Sequence, residues 1–595
     1  MGSKVVKKFY NWTFLLVTIA IIIVVNVIGI FLNKRFDVTQ DRRYSLHNST
    51  VEYLSNESNF DDRILFKIYL GGDLPAEVQR LRSALEDKLK EFKQYAGKRV
   101  EYLILNPYEG TEEEQNFLFE DLYNKGKGII PTGITYSKDG KSSAIQVWAG
   151  ALIEYGGSTV NHIQFLPGTP QGQFYSLDAG FNQQVQNSIN NMEYMLVSAI
   201  RRATARQKDR IVFLQGHGEL NKYETMRVRS LIAPYYRIED ITLNDSIDAL
   251  KDVKGLVIAR PTKPFTEKDK YLIDQFLMNG GRLMCFMDKL WFNEDTLNRT
   301  GVTHSERTNL DLDKMLFDYG LKVNDNYVLD IKSSPKYFPP SQTGVIPWYL
   351  NVIATPTAHP ISRNVGGVLM KYASEVQFVG ESDKIVHTPV LTSSTNSGIT
   401  GLAPVISLTM PLAYGNDPKF NEDPTNEANK ICLAGLAEGT FTSHFKNRIV
   451  DAFIKSKEIN YHEQGVKEGK VLVIGNGSFI RNMYDSVPNQ AGGYTYTPSA
   501  FNNLKFDEIN LRLKGFGYLT YGNQEFFQNM VDYMMGDNSV LDIRSKQIEI
   551  HAIDKGKVEK YASTLRIINM VIPSLLILIL GLILNTVRKR KYTKK

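Results

Sequence analysis

Arg210-Ile211-Val212-Phe213-Leu214-Gln215-Gly216-His217-Gly218-Glu219-Leu220 sets the architecture of this chain. An apolar run with no polar alternation stops at two glycines placed either side of a histidine. Such a run predicts a strand buried on both faces, the kind that parallel sheets contain. The downstream residues extend the pattern. A helix is expected near Tyr223–Ala233 and a second buried strand at Val253–Ala259. Thr266 then opens a helix, with Asp269 three residues on in a variant of the capping box. Leu272, Ile273, Phe276 and Leu277 form its inner face, Gly280-Gly281 ends it, and Arg282–Phe286 is the next strand. Strands alternating with helices predict a doubly wound α/β unit over 209–320.

A second α/β pattern precedes it. Ile64–Leu70 reads as a strand, and Pro75 stands where a helix can begin. Val78, Leu81, Leu85, Leu89 and Phe92 recur at helical spacing, and Val100–Leu105 is a second strand stopped by Asn106-Pro107. After Gly126 the pattern turns to strands, through Ile153 and Ile163. The unit 56–170 is expected to be thioredoxin-like, without the C-x-x-C that dithiol chemistry needs. Ser49 and Thr50 are candidate caps for a short helix at Val51–Leu54. Gln183–Ala203, within a segment 171–208, reads as a helix linking the two units, with Met192, Leu196 and Ile200 on one side. Residues 321–545 continue the α/β region. Val471–Ile474 is a strand running into a turn, Asn523–Met535 a helix, and 381–430, rich in Ser, Thr, Asn and Gly, a stretch of long loops.

Both ends of the chain are apolar. Thr13–Leu32 contains no charge, and a bilayer core of about 30 Å needs about 20 helical residues. The run is longer than a signal-peptide core and ends at Ile30-Phe31-Leu32-Asn33, without small residues before a cleavage point, which predicts an uncleaved anchor over 13–33. Ile567–Val587 is a second run, expected to span as 566–587; its Pro573 is tolerable in a membrane helix. Asn26 and Pro573 are the candidate points of packing against neighbouring helices. Residues 1–12 and 588–595 are basic tails free of acids, so both are expected in the cytoplasm. The juxtamembrane segments 34–55 and 546–565 and everything between them are then periplasmic, beyond an inner membrane.

The nine cations of the tails (Lys4, Lys7, Lys8, Arg588, Lys589, Arg590, Lys591, Lys594 and Lys595) exceed the net charge of +6, which leaves −3 for the rest. The basic balance is therefore no footprint of a nucleic-acid-binding face, which needs clustered positive charge on the folded part. Membrane lipid is the expected partner of the C-terminal cations. At 43% hydrophobic and 23% charged residues the chain is ordinary globular material, not a disordered one. The two cysteines, Cys285 and Cys432, are no disulfide framework. Both lie in apolar stretches, which predicts separate buried thiols; an oxidising compartment would still permit them to pair.

Motifs for chemistry are sparse. Gly465-Val466-Lys467-Glu468-Gly469-Lys470 is too short for a P-loop and lacks its hydroxyl, no H-E-x-x-H occurs, and the nine histidines are scattered. No metal or cofactor is called for, and no catalytic residue is assigned. Gln215, Gly216, His217, Gly218 and Glu219 are the candidate contact for a ligand or partner, because open α/β sheets place ligands beyond the ends of their strands. His217 and Glu219 are the right types for an acid–base pair, against the plainer reading of a tight strand-to-helix turn. The sheet is also similar to that of class I amidotransferases. Their nucleophilic cysteine sits on an elbow, whereas Leu283-Met284-Cys285-Phe286-Met287 is mid-strand, so a degenerate, non-catalytic version is expected.

Four stretches together resemble the auxiliary proteins of ABC transporters, and among them the GldG family linked to gliding motility in Bacteroidota. They are Arg35–Leu46, Gln215–Leu220, Phe276–Asp288, and Asn523–Asp537 with Ile543-Arg544-Ser545-Lys546. The resemblance implies a membrane permease and a cytoplasmic ATPase as partners, and a non-catalytic, substrate-binding-like role. The α/β unit also looks like a domain of an intraflagellar-transport protein, which favours scaffolding or ligand binding. The alternative is a periplasmic solute- or glycan-binding module tethered to the inner membrane.

Overall fold

In a computed structural model, the described residues are 45–536, less 124–128, 139–140, 167, 170–173, 178, 206–207, 245, 247, 338–344, 364, 381–382, 416–425, 447–460, 490–491, 500–503, 505–506, 508 and 510–518, together with 17, 19–21, 24, 571–573, 575, 577–587 and 589–590. The chain divides into two units, one of Ser45–Lys546 and one of the two ends.

The larger unit opens with α1 (Asn48–Ser55). Its cap is His47, whose Nδ1 accepts from the Ser49 N–H at 3.2 Å, rather than Ser49 or Thr50. The Thr50 hydroxyl donates instead to buried Glu193 at 2.7 Å. Then come β1 (Ile64–Ile68), α2 (Ala76–Ala96), β2 (Val100–Ile104), β3 (Gly150–Tyr155) and β4 (Ser158–Gln164). They form a sheet in the order β2-β1-β3-β4, in which β1 and β2 are parallel and the other pairs antiparallel. All five residues of the α2 stripe are buried, each contributing roughly 1.5–3 kcal/mol by leaving water. The helix expected to link two units runs over α3 (Ala179–Thr204). It does more than link: Met192, Leu196 and Ile200 are buried in the same core as Leu81, Leu85 and Leu89, because an apolar stripe that long must be covered.

The second sheet is built from β5 (Arg210–Leu214), β6 (Arg237–Ile241), β7 (Gly255–Ala259), β8 (Arg282–Phe286), β9 (Asn351–Pro356), β10 (Val368–Lys371), β11 (Ile385–Thr392), β12 (Cys432–Gly439) and β13 (Gly469–Ile474). Its order is β10-β9-β11-β12-β13-β8-β7-β5-β6. From β6 to β13 every neighbouring pair is parallel; from β13 to β10 every pair is antiparallel. Among the helices packed on it are α4 (Met226–Ile232), α5 (Glu267–Met278) and α6 (Asn523–Met534). Alternate residues of β5 enter different cores. Ile211 and Phe213 pack with Val228, Phe526 and Met530 on one face. Val212 and Leu214 pack with Ile273 and Leu277 on the other. Two-sided cover is why β5 reads as continuous apolar residues.

The expectation of long loops over 381–430 is corrected, because β11 lies there and pairs with β12 along its length. Only Val390 and Leu391 of β11 are fully buried, so its composition resembles a loop. The helix expected near Tyr223 begins at Met226, since Tyr223 and Glu224 donate their N–H groups to the Asn221 side chain at 2.8 and 3.1 Å in a turn.

Among the described residues no helix is long and apolar enough to cross a membrane. Most of the expected span 13–33, with Asn26, lies outside the described residues. Pro573 is helical and exposed, and the other described residues between 571 and 590 are helical too.

Candidate functional site

The five parallel strands stand in the order β6-β5-β7-β8-β13. The chain leaves β5 toward β6 on one side and returns to β7 on the other. Their diverging connections open a crevice between the carboxyl ends of β5 and β7, the place where open α/β sheets take ligands. Gln215–Glu219 follow β5, and Arg260–Phe265 follow β7.

Here the crevice is filled by the chain's own residues. His217 is buried, with 7% of its surface exposed. Its Nδ1 lies 3.1 Å from Glu219 Oε1 and its Nε2 lies 3.2 Å from Asp269 Oδ2. Its ring stacks on Phe265 with centroids 3.8 Å apart and planes 3° apart. The His217 N–H donates to Glu219 Oε2 at 2.7 Å, and its carbonyl accepts from the N–H groups of Thr262 and Lys263, both at 2.8 Å. Gly218, at φ +73°, lies so close that a Cβ there would fall 2.1 Å from Thr262 Oγ1, so only glycine fits both the torsion and the approach. Gln215 donates its N–H to Ile241 of β6, and Leu220 donates to Ala259 of β7. The turn is stitched to the strand on each side.

Burial opposes a charge on His217, but the hydrogen bonds and opposite charges of Glu219 and Asp269 outweigh it, and the imidazole is held above its ordinary basicity. An imidazolium donates to both carboxylates; a neutral ring can donate to only one. The arrangement is a clasp between the end of β5 and the start of α5. Acid–base work by His217 would first have to displace one of its two carboxylates. Asp269 serves twice. Its N–H is accepted by Thr266 Oγ1 at the helix cap, and its Oδ2 accepts from the Thr266 hydroxyl at 2.6 Å while facing His217. The capping pattern signals the first role in the sequence, and nothing local signals the second.

Two features of this end of the sheet carry no sequence motif. Asp288, just past β8, accepts from Arg260 Nε at 2.7 Å and from the Gly477 N–H at 2.6 Å, tying together the ends of β7, β8 and β13. A hairpin of β14 (Tyr484–Pro488) and β15 (Tyr494–Pro498) is anchored to the turn after β5, where Asn482 donates its N–H to Glu224 O and its side chain to Tyr223 O. The Tyr223 ring lies 4.2 Å from that of Tyr496 and 5.9 Å from that of Tyr484, and Tyr494 is 60% exposed. Among the described residues no group of three or more His, Cys, Asp or Glu side chains is placed to hold a metal ion. Cys285 is buried mid-strand, and burial alone pushes its thiol up to about 12. Cys432 is only partly buried; both thiols are free.

Residues 208–507, just over half of the chain, match the model of the family described as an ABC-type uncharacterized transport system. The chain belongs to that family. The matched stretch takes in β5 to β13, the His217 clasp and the tyrosine hairpin. Residues 40–154 match a domain of unknown function, DUF7088. An uncharacterized protein of Borreliella burgdorferi is 22% identical over 419 residues, spanning 68% of this chain and 71% of its own. Among solved structures, the mmIFT52 N-terminal domain matches at 12% identity, over 55% of this chain and 97% of its own, with a TM-score of 0.30, a likeness that carries no argument.

Proposed function

We propose that this chain is a non-catalytic auxiliary subunit of an ABC-type transporter linked to gliding motility. In this reading two helices, 13–33 and 566–587, hold it in the inner membrane, and its thioredoxin-like and doubly wound units project into the periplasm. A permease is its partner in the bilayer, and the cytoplasmic ATPase acts through that permease. The observation that carries the transport part is the family match over 208–507. The anchoring part is supported by the described residues of the second apolar run. Ile577, Leu578 and Leu580 are helical and 74%, 63% and 59% exposed, a surface that water would not tolerate in a row but hydrocarbon would. Asn26 and Pro573 are the proposed contacts with permease helices, and Arg588–Lys595 the contact with anionic headgroups.

The test is purification of the tagged full chain from its own membranes in mild detergent. A permease and an ATPase are expected in the same complex. Recovery of the chain alone from a carbonate wash, without detergent, would refute both parts.

The tyrosine hairpin favours a second reading, a tethered module for a solute or glycan, since exposed ring faces beside polar side chains suit sugar rings. An envelope oligosaccharide that stabilises the native chain but not a Tyr494→Ser variant would support this reading.

A further inference from the structure

A cleft of about 850 Å³ opens at the opposite end of the parallel strands from the His217 clasp. Its walls are the 250–254 loop, one flank of α5, the first residue of β8 and the 462–467 turn. The volume falls within the range of small-molecule sites. Four cations line it, Lys251, Lys254, Arg282 and Lys467, against one acid, Asp252. Lys254 is paired with Asp209 at 2.7 Å. Arg282 donates from Nη1 to the Glu468 carbonyl at 2.5 Å, while its Nε is buried and has no hydrogen-bond partner among the described residues. A guanidinium N–H withdrawn from water and left unmet is costly, so Arg282 gains by turning its guanidinium toward an acceptor brought into the cleft.

The cations are not there to cap α5. The carbonyls of its last turn are met by other groups: Gln275 O by Asn279, Phe276 O by the Gly281 N–H, Leu277 O by the Gly280 N–H, and Met278 O by the Val466 N–H. The rest of the lining is part apolar, with Leu272, Phe276 and Val466, and part polar, with Gln275, Asn279 and His462. A site that joins several cations to an apolar wall fits a ligand with a multiply charged head and a small organic body. A phosphate monoester offers three acceptor oxygens and close to two negative charges to a guanidinium and flanking lysines.

We propose that this cleft binds a phosphate monoester, with the half-buried Arg282 as its anchor and Lys251 and Lys467 at its mouth. The head can belong to a soluble ester or to a lipid, and the experiment separates them. Glycerol 3-phosphate and dihexanoyl phosphatidic acid are each titrated calorimetrically into the full chain in neutral detergent at low salt, with glycerol as control. Saturable binding of at least one phosphate compound, and none of glycerol, is expected. Equal affinities assign a soluble ester; a lipid at least tenfold tighter assigns a headgroup. Arg282→Gln and Lys467→Glu should each weaken binding about ten- to hundredfold, the range for a lost charge-assisted hydrogen bond. Lys467 is exposed, so its variant keeps the fold and the test stands if Arg282→Gln does not fold. Absence of saturable binding, or binding that Lys467→Glu leaves unchanged, overturns the proposal.

Discussion

His217→Leu is expected to destabilise the larger unit by roughly 3–5 kcal/mol, the usual cost of removing one partner from a buried charge network. The variant leaves Glu219 and Asp269 facing each other with no cation between them, and both residues are at most 9% exposed. The loss should depend on pH. The folded imidazole is more basic than the ordinary value of 6.5, so its contribution is complete below that pH and is lost as pH rises through the folded value. The stability gap between the native chain and His217→Leu should therefore narrow from mildly acidic to alkaline solution. Denaturant unfolding across that range, followed by circular dichroism, measures it. A variant as stable as the native chain at every pH would show that the ring is no clasp, and would return His217 to the candidates for ligand contact.

Gly439→Ala is expected to cost about 2–6 kcal/mol, combining backbone strain of roughly 1–3 kcal/mol with a steric clash of similar size. Gly439 has φ +143°, and a Cβ would stand 1.9 Å from the Lys384 carbonyl oxygen. Neither atom belongs to a side chain that can turn aside. The residue pairs with Ile385 of β11 on one side and Gly469 of β13 on the other. The damage should fall on the antiparallel half of the sheet. Hydrogen exchange should accelerate across Ile385–Thr392 while Ile211–Leu214, on the far side of the parallel half, stays protected. Unchanged protection in β11 would contradict this account.

In the parallel half of the second sheet β5, β7, β8 and β13 were legible because they are almost wholly buried, whereas the edge strand β6, with Arg237 and Asp240 exposed, went unread. The α2 stripe was legible because five apolar residues keep one helical phase. Strand β11 was hidden. Ile385-Val386-His387-Thr388-Pro389 mixes polar and apolar residues on a half-exposed strand whose register shifts after Pro389. The turn at Gln215–Glu219 announced itself through its glycines, but its partners did not, since Asp269 lies 52 residues on and Phe265 looks like any core aromatic. The basic cleft was illegible for the same reason. Its cations come from separate segments, and only the fold brings Lys251, Arg282 and Lys467 around one cleft.

The late arrival of β13 has a consequence for biosynthesis. Arg282 of β8 pairs with Lys470, 188 residues further along the chain. At about 5–20 residues per second, a ribosome needs on the order of 10–40 seconds to supply that partner. Throughout that interval β8 presents an open, greasy border to whatever surrounds the nascent chain, the kind of border that invites misassociation. A chaperone that shields unfinished strands should therefore raise the yield of this chain more than that of a protein whose neighbouring strands emerge one after another.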